Sequence, residues 1–210
     1  MAPFFRYRFR FCKRGTVRFI SHRELMGVFA RAFRRAELPL RMSLGFHPRP
    51  RFSLPAPLPV GAEGLDEVLE LDLAEDLAPD DVARRLAPVL PQGIDIFRTE
   101  RVDPPVRARI RSVRYRMLGP IEPDAVRRCA ERPWLLVARR QGGTADIRPY
   151  LKAIEPCEGG CECEVLVTNE GTARPADIAE TLCDGDARRA RHLSLSRTAV
   201  NLDVPQEERL

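Results

Sequence analysis

Lysine is almost missing from this chain: Lys13 and Lys152 are the only two, while arginine is abundant. Such usage can follow genomic base composition, which explains why the cations are arginines and leaves open why they cluster. Also missing is any run of about 18 apolar residues, which excludes a helical membrane span. The start, Met1 to Arg10, is studded with arginine and lacks the apolar block and cleavage site of a secretory signal, so a cytoplasmic protein is expected. No glycine-rich phosphate signature, no nucleophile elbow with a Ser-His-Asp set and no convincing pair of catalytic carboxylates can be read. An enzyme acting on its own is therefore not expected. Paired Cys-x2-Cys knuckles are absent too, so the six cysteines are expected as isolated reduced thiols.

What is present is a localised field. Residues 1–51 carry 13 Lys+Arg against two acids, Glu24 and Glu37, a net of about +11; since the whole chain is +5, the remainder sums to about −6. Most of the ten Phe fall in the same stretch. A focused basic patch beside aromatics fits a polyanionic partner, RNA first; a merely solvated basic face is the plainer alternative.

Hydrophobic periodicity organises the chain into two similar halves. Phe5, Tyr7, Phe9 and Phe11 alternate with Arg6, Arg8 and Arg10, which predicts a strand with aromatics on one face and guanidinium groups on the other. Ser21 with Glu24 forms a capping-box pattern, and Leu25, Val28, Phe29, Ala32, Phe33 and Ala36 follow at helical spacing, predicting a helix over 21–37 that stops before Pro39. Extended segments at 50–56 and 67–73, a helix opened by Pro79-Asp80-Asp81 and a strand at Ile94–Arg101 complete a β-α-β-β-α-β order. After a linker around Val102 to Val106 with Pro104-Pro105, the order repeats. It runs through a strand at Val113, Tyr115 and Met117, a helix at Pro123-Asp124, strands near Leu135–Arg140, Ile147–Ile154 and Cys161–Val167, a helix at 175–183 and a strand near 191–198. The expected fold is α+β, as tandem ferredoxin-like (βαββαβ) domains over 1–103 and 104–200, with a tail at 201–210. The acids Glu67, Glu70 and Asp72 are expected on a solvated strand face.

Several segments carry a resemblance: Val17-Arg18-Phe19-Ile20-Ser21-His22-Arg23-Glu24-Leu25-Met26, Arg31 to Pro39, Ser43-Leu44-Gly45-Phe46-His47-Pro48-Arg49-Pro50 and Leu58-Pro59-Val60-Gly61-Ala62-Glu63. Together, and more weakly with Asp146 to Tyr150, they resemble an uncharacterised radical-SAM-associated protein family found fused to, or beside, a radical SAM protein of the cobalamin-binding type. The resemblance implies a radical SAM protein as partner, with any iron-sulfur cluster, SAM and cobalamin carried by that partner and no cofactor in this chain. A looser likeness, resting on fold order and charge alone, is to the RNA-processing proteins of bacterial repeat-based defence systems. Their C-terminal glycine-rich loop is missing here.

The candidate nucleic-acid contacts are Arg6, Arg8 and Arg10 on the open strand face, Arg23, Arg31 and Arg34 along one helix stripe, and Phe46, His47, Arg49 and Arg51 in and after a Gly-Phe-His-Pro-Arg-Pro loop that one glycine and two prolines stiffen. His22 and His47 are weak catalytic candidates, since an imidazole can serve a ribose hydroxyl as acid or base. Cys157, Cys161 and Cys163, with His192 or Cys183 as a fourth ligand, are weak zinc candidates; their spacing is not that of a radical SAM cluster. The expected function is a non-catalytic accessory module binding RNA, tRNA or rRNA, through its basic first half. The alternatives are a protein-docking subunit of the radical SAM enzyme and a metal-independent endoribonuclease using His22 or His47.

Overall fold

The computed structural model describes residues 3–103, 105–139 and 142–203. Pro104 of the expected linker, Arg140 of an expected strand and residues 204–210 of the expected tail lie outside them. The chain is α+β and divides into two compact units between Arg109 and Ile110.

In the first unit the order is β1 (Phe5–Lys13), α1 (His22–Arg35), β2 (Phe52–Ser53), β3 (Glu63–Leu73), α2 (Pro79–Leu86) and β4 (Ile94–Val102). β1 lies between β4 and β3, and β2 pairs with β3, all antiparallel. Aromatic alternation decides the layering. Tyr7, Phe9 and Phe11 are buried against Leu25, Phe29 and Phe33 of α1, Val82 and Leu86 of α2, and Leu69, Leu71 and Leu73 of β3. Rings interlock from sheet to helix: Phe11 meets Phe29 edge-on at 5.1 Å, Phe29 stacks on Phe33 at 5.9 Å, and Phe33 meets Phe52 edge-on at 5.1 Å.

α1 begins and ends by rules its sequence obeys. The Ser21 hydroxyl accepts from the Glu24 N–H, and the Glu24 carboxylate accepts from the Ser21 N–H at 2.7 Å, completing a capping box. At the far end the Leu38 N–H reaches the Phe33 carbonyl and the Glu37 N–H the Arg34 carbonyl, a Schellman closure in which Glu37 takes φ +49°. Between Lys13 and α1, residues Gly15–Phe19 form a short 3-10 turn where only an apolar segment was expected.

The second unit runs β5 (Ile110–Leu118), α3 (Pro123–Glu131), β6 (Leu136–Ala138), β7 (Thr144–Asp146), β8 (Leu151–Cys157), β9 (Gly160–Leu166), α4 (Pro175–Leu182), α5 (Ala187–Arg191) and β10 (Ser194–Leu202). Its strands follow the order β10-β5-β9-β8, and β6 and β7 form a separate hairpin. Val113, Tyr115, Met117, Cys161, Cys163 and Val165 are buried on the sheet, with Val126 and Cys129 of α3 and Ile178 and Leu182 of α4.

The expected strand at Ile147–Ile154 is corrected here. The Asp146 carboxylate accepts from the N–H groups of Leu135 and Arg148, the chain turns through a 3-10 segment at Arg148–Tyr150 with Pro149 inside it, and the strand starts only at Leu151. Those two N–H bonds also hold the Asp146 carboxyl below its usual range. The last strand reaches Leu202 and so takes in the first two residues expected in the tail.

Candidate nucleic-acid interface

The cations of the first unit fall into two populations, and the strand register separates them. In the β1–β3 ladder Arg6 stands opposite Asp72 and Arg8 opposite Glu70. Arg6 is 7 % exposed and grips Asp72 with two bonds, Nε to Oδ1 at 2.8 Å and an NH2 bond to Oδ2 at 3.1 Å. Arg8 bonds Glu70 at 3.0 Å and lies 3.8 Å from Glu100. Arg10 reaches Asp66 at 3.2 Å. The expected open basic face is therefore a neutralised one. Glu70 and Asp72, expected as a strand's wet face, are buried counter-charges. The chain after β4 closes over this face: Arg6 donates to the Pro105 carbonyl at 3.2 Å, and the Ala108 N–H donates to Glu70 at 2.8 Å. Arg41 also bonds Asp72, at 3.4 Å, and its guanidinium lies 3.7 Å from the centre of the Phe4 ring.

The second population is free of this pairing. Arg23, Arg31 and Arg34 are exposed on α1, and with Gly27 they follow helical spacing along one stripe; Arg35 is exposed beside them. Among the described residues no carboxylate forms an ion pair with Arg23, Arg31, Arg34, Arg35, Arg49 or Arg51. Gly27 leaves a flat spot in the stripe, over which Arg31 leans, its NH1 lying 3.4 Å from where a Cβ would stand. The acid nearest in sequence, Glu24, is occupied by the cap, and the Ser21 hydroxyl and N–H hold its carboxyl below the ordinary range.

Between α1 and β2 the chain makes a hairpin-like loop. Met42 bridges Pro50, the Ser43 N–H donates to the Arg49 carbonyl at 2.8 Å, and the Arg49 N–H donates back to the Ser43 hydroxyl at 3.0 Å. Its stem is tied to β3: the Arg41 N–H donates to the Asp72 carbonyl and the Asp72 N–H to the Arg51 carbonyl. At its tip Leu44 and Phe46 are 92 % and 102 % exposed, and His47 and Arg49 are exposed beside them.

Two features escaped the sequence reading. Lys13 ends the aromatic row of β1, on the core face, and is 1 % exposed; its ammonium donates to the carbonyls of Ile20 at 2.9 Å and Arg18 at 3.3 Å. Glu67 is likewise buried, and the two line a small recess with His22, Phe11, Leu25 and Leu58. The signal was parity. Lys13 continues 5, 7, 9, 11, and Glu67 shares its parity with Leu69, Leu71 and Leu73, so both point to the helices. Lys13 therefore acts as a clasp that fixes the turn leading into α1. His47 is not among the residues of this recess, so the two histidines weighed as catalytic candidates are not gathered in it.

The cysteines do not assemble a metal centre. Among the described residues no group of three or more His, Cys, Asp or Glu is arranged to hold an ion. Cys161 and Cys163 face the core from β9 and Cys129 and Cys183 are buried, while Cys157 is half-buried on β8. Burial pushes the Cys161 thiol up to about 12 and that of Cys163 higher still, which keeps both protonated and unreactive. An iron-sulfur cluster does not fit this set. Among the described residues no helix is long and apolar enough to cross a membrane.

No curated protein matches the chain. Its sequence over residues 6–175, which takes in the basic strand, α1, the exposed loop and most of the second unit, matches a family model. The chain thus belongs to the family described as "uncharacterized protein conserved in bacteria (DUF2344)", which occurs fused to or beside B12-binding radical-SAM proteins.

Proposed function

We propose that this chain is a non-catalytic accessory module of the radical SAM system that its family accompanies, and that it binds RNA, tRNA or rRNA, in the cytoplasm and presents it to the radical SAM protein. The observation that carries the reading is the unpaired arginine stripe of α1. The fold neutralises Arg6, Arg8 and Arg10 against carboxylates, yet leaves Arg23, Arg31 and Arg34 in water with no carboxylate partner among the described residues and a flat glycine between the first two. Phosphates neutralised by such side chains release condensed counterions, so binding would fall steeply with salt. The Arg49 and Arg51 side chains extend the same charge beyond α1.

We also read each unit as a ferredoxin-like domain. In support, the strands of both follow one spatial order, fourth, first, third, second, counted within the unit. The lack of a gathered set of acid, base and nucleophile among the described residues favours presentation over cleavage by His22 or His47.

Filter binding of tRNA to the full chain across a salt series tests the reading. Retention that weakens log-linearly with salt is expected, with a slope set by several phosphate contacts. Retention absent at low salt, or insensitive to salt, overturns it.

A further inference from the structure

We infer that the loop spanning Ser43 to Arg51 is a base-stacking finger, and that the RNA taken is therefore single-stranded or looped rather than duplex; this rests on the RNA reading above. Three observations converge on the loop. Its apolar tip is presented rather than stored. Leu44 and Phe46 stand almost wholly in water, whereas Phe9, Phe11, Phe29 and Phe33 of the same region are completely buried. The presentation is also rigid. The Met42–Pro50 bridge, the reciprocal Ser43–Arg49 bonds and the ties of Arg41 and Arg51 to Asp72 fix the stem to β3, and Asp72 is itself locked by Arg6. Gly45, between the two exposed side chains, holds φ +118°, a conformation that a residue with a Cβ rarely adopts, and Pro48 and Pro50 restrict the descending arm of the loop.

Charge decides which partner the finger fits. No acidic residue occurs between Glu37 and Glu63, and within that span Arg49, Arg51 and His47 are exposed around the tip. An aromatic ring and an aliphatic side chain among unopposed cations suit a ligand with flat apolar faces joined by anions, which describes an unpaired nucleotide run. A duplex offers no such face: its bases are stacked inside, and the A-form major groove is too narrow for side chains to read. In this arrangement Phe46 covers the face of an exposed base, Leu44 packs at its edge, and Arg49 and Arg51 meet the adjoining phosphates.

The test uses the full chain with a short single-stranded RNA containing 2-aminopurine and with the duplex formed from the same strand. Three proteins are compared: the natural sequence, Phe46→Ala and Phe46→Trp. Single strand is expected to bind about tenfold tighter than duplex, with 2-aminopurine fluorescence quenched on binding. Phe46→Ala is expected to weaken the single strand about tenfold and abolish the quench, and Phe46→Trp to restore both. Salt-dependent binding of both RNAs that Phe46→Ala leaves unchanged overturns the finger while leaving the RNA reading standing. Failure of either RNA to bind overturns both. Unchanged RNA binding together with loss of the co-purifying radical SAM protein in Phe46→Ala reassigns the tip to a protein contact and overturns the inference.

Discussion

Arg6 shows how a single side chain can look like a ligand contact and serve the fold. Its place among alternating aromatics put it on the face away from the helices, and that placement is right. Its exposure depends on what lies across the ladder, and there Asp72 takes both of its bonds under cover of the segment that comes after β4. A buried ion pair contributes little relative to a well-packed apolar pair, but leaving one charge behind is costly. Arg6→Ala is therefore expected to lower stability by about 3 kcal/mol, and Asp72→Ala by a similar amount, with the added effect of releasing Arg41 and the stem of the exposed loop. Replacing both, as Arg6→Met with Asp72→Leu, is expected to cost far less than the two single changes combined. Urea midpoints of the three variants at neutral pH check this; additive losses would mean that the two residues act independently.

At the scale of elements, α1 was legible almost to the residue, because its signals are local: the Ser21–Glu24 box, the 3.6-residue apolar repeat and the proline at 39. The strand after Asp146 was not, because the turn at Arg148–Tyr150 is made by a carboxylate reaching the N–H of Leu135, eleven residues back in sequence. The same contrast holds for the site. Parity placed Arg6, Arg8 and Arg10 on one face, and would have placed Lys13 and Glu67 inside, but no periodicity tells which strand lies beside which; register against β3 is a long-range fact. The end of α1 yields a local prediction. Glu37 occupies a left-handed position with φ +49°, where glycine carries no Cβ penalty, and its negative charge sits unfavourably at a helix C-terminus. Glu37→Gly is expected to raise stability by about 0.5–1 kcal/mol despite the added freedom of the unfolded chain. Thermal unfolding followed by circular dichroism measures it, and a lower midpoint would show that Glu37 makes a contact outweighing its backbone strain.

For the whole molecule, net charge is a poor guide to where a polyanion would sit, because many of the cations are spent internally. Of the +11 carried by residues 1–51, the arginines of β1 face Asp66, Glu70 and Asp72. The second unit has its own basic helix, Arg188, Arg189 and Arg191 on α5, but Asp184 and Asp186 flank it, and the Asp186 carboxylate caps its N-terminus. This allows a comparison at constant charge. Arg23→Gln, Arg31→Gln and Arg34→Gln together remove three cations, and Arg188→Gln, Arg189→Gln and Arg191→Gln remove three more elsewhere. If binding followed net charge, the two triple variants would lose RNA affinity equally. If it follows the unpaired stripe, the α1 variant is expected to reduce the magnitude of the log K against log salt slope by about 2 for single-stranded RNA, at roughly 0.7 per phosphate contact, while the α5 variant keeps the natural slope. Salt titrations of the three proteins, each checked for an unchanged unfolding midpoint, separate the two cases. Equal losses in both variants would make the attraction a property of the overall field rather than of a built surface.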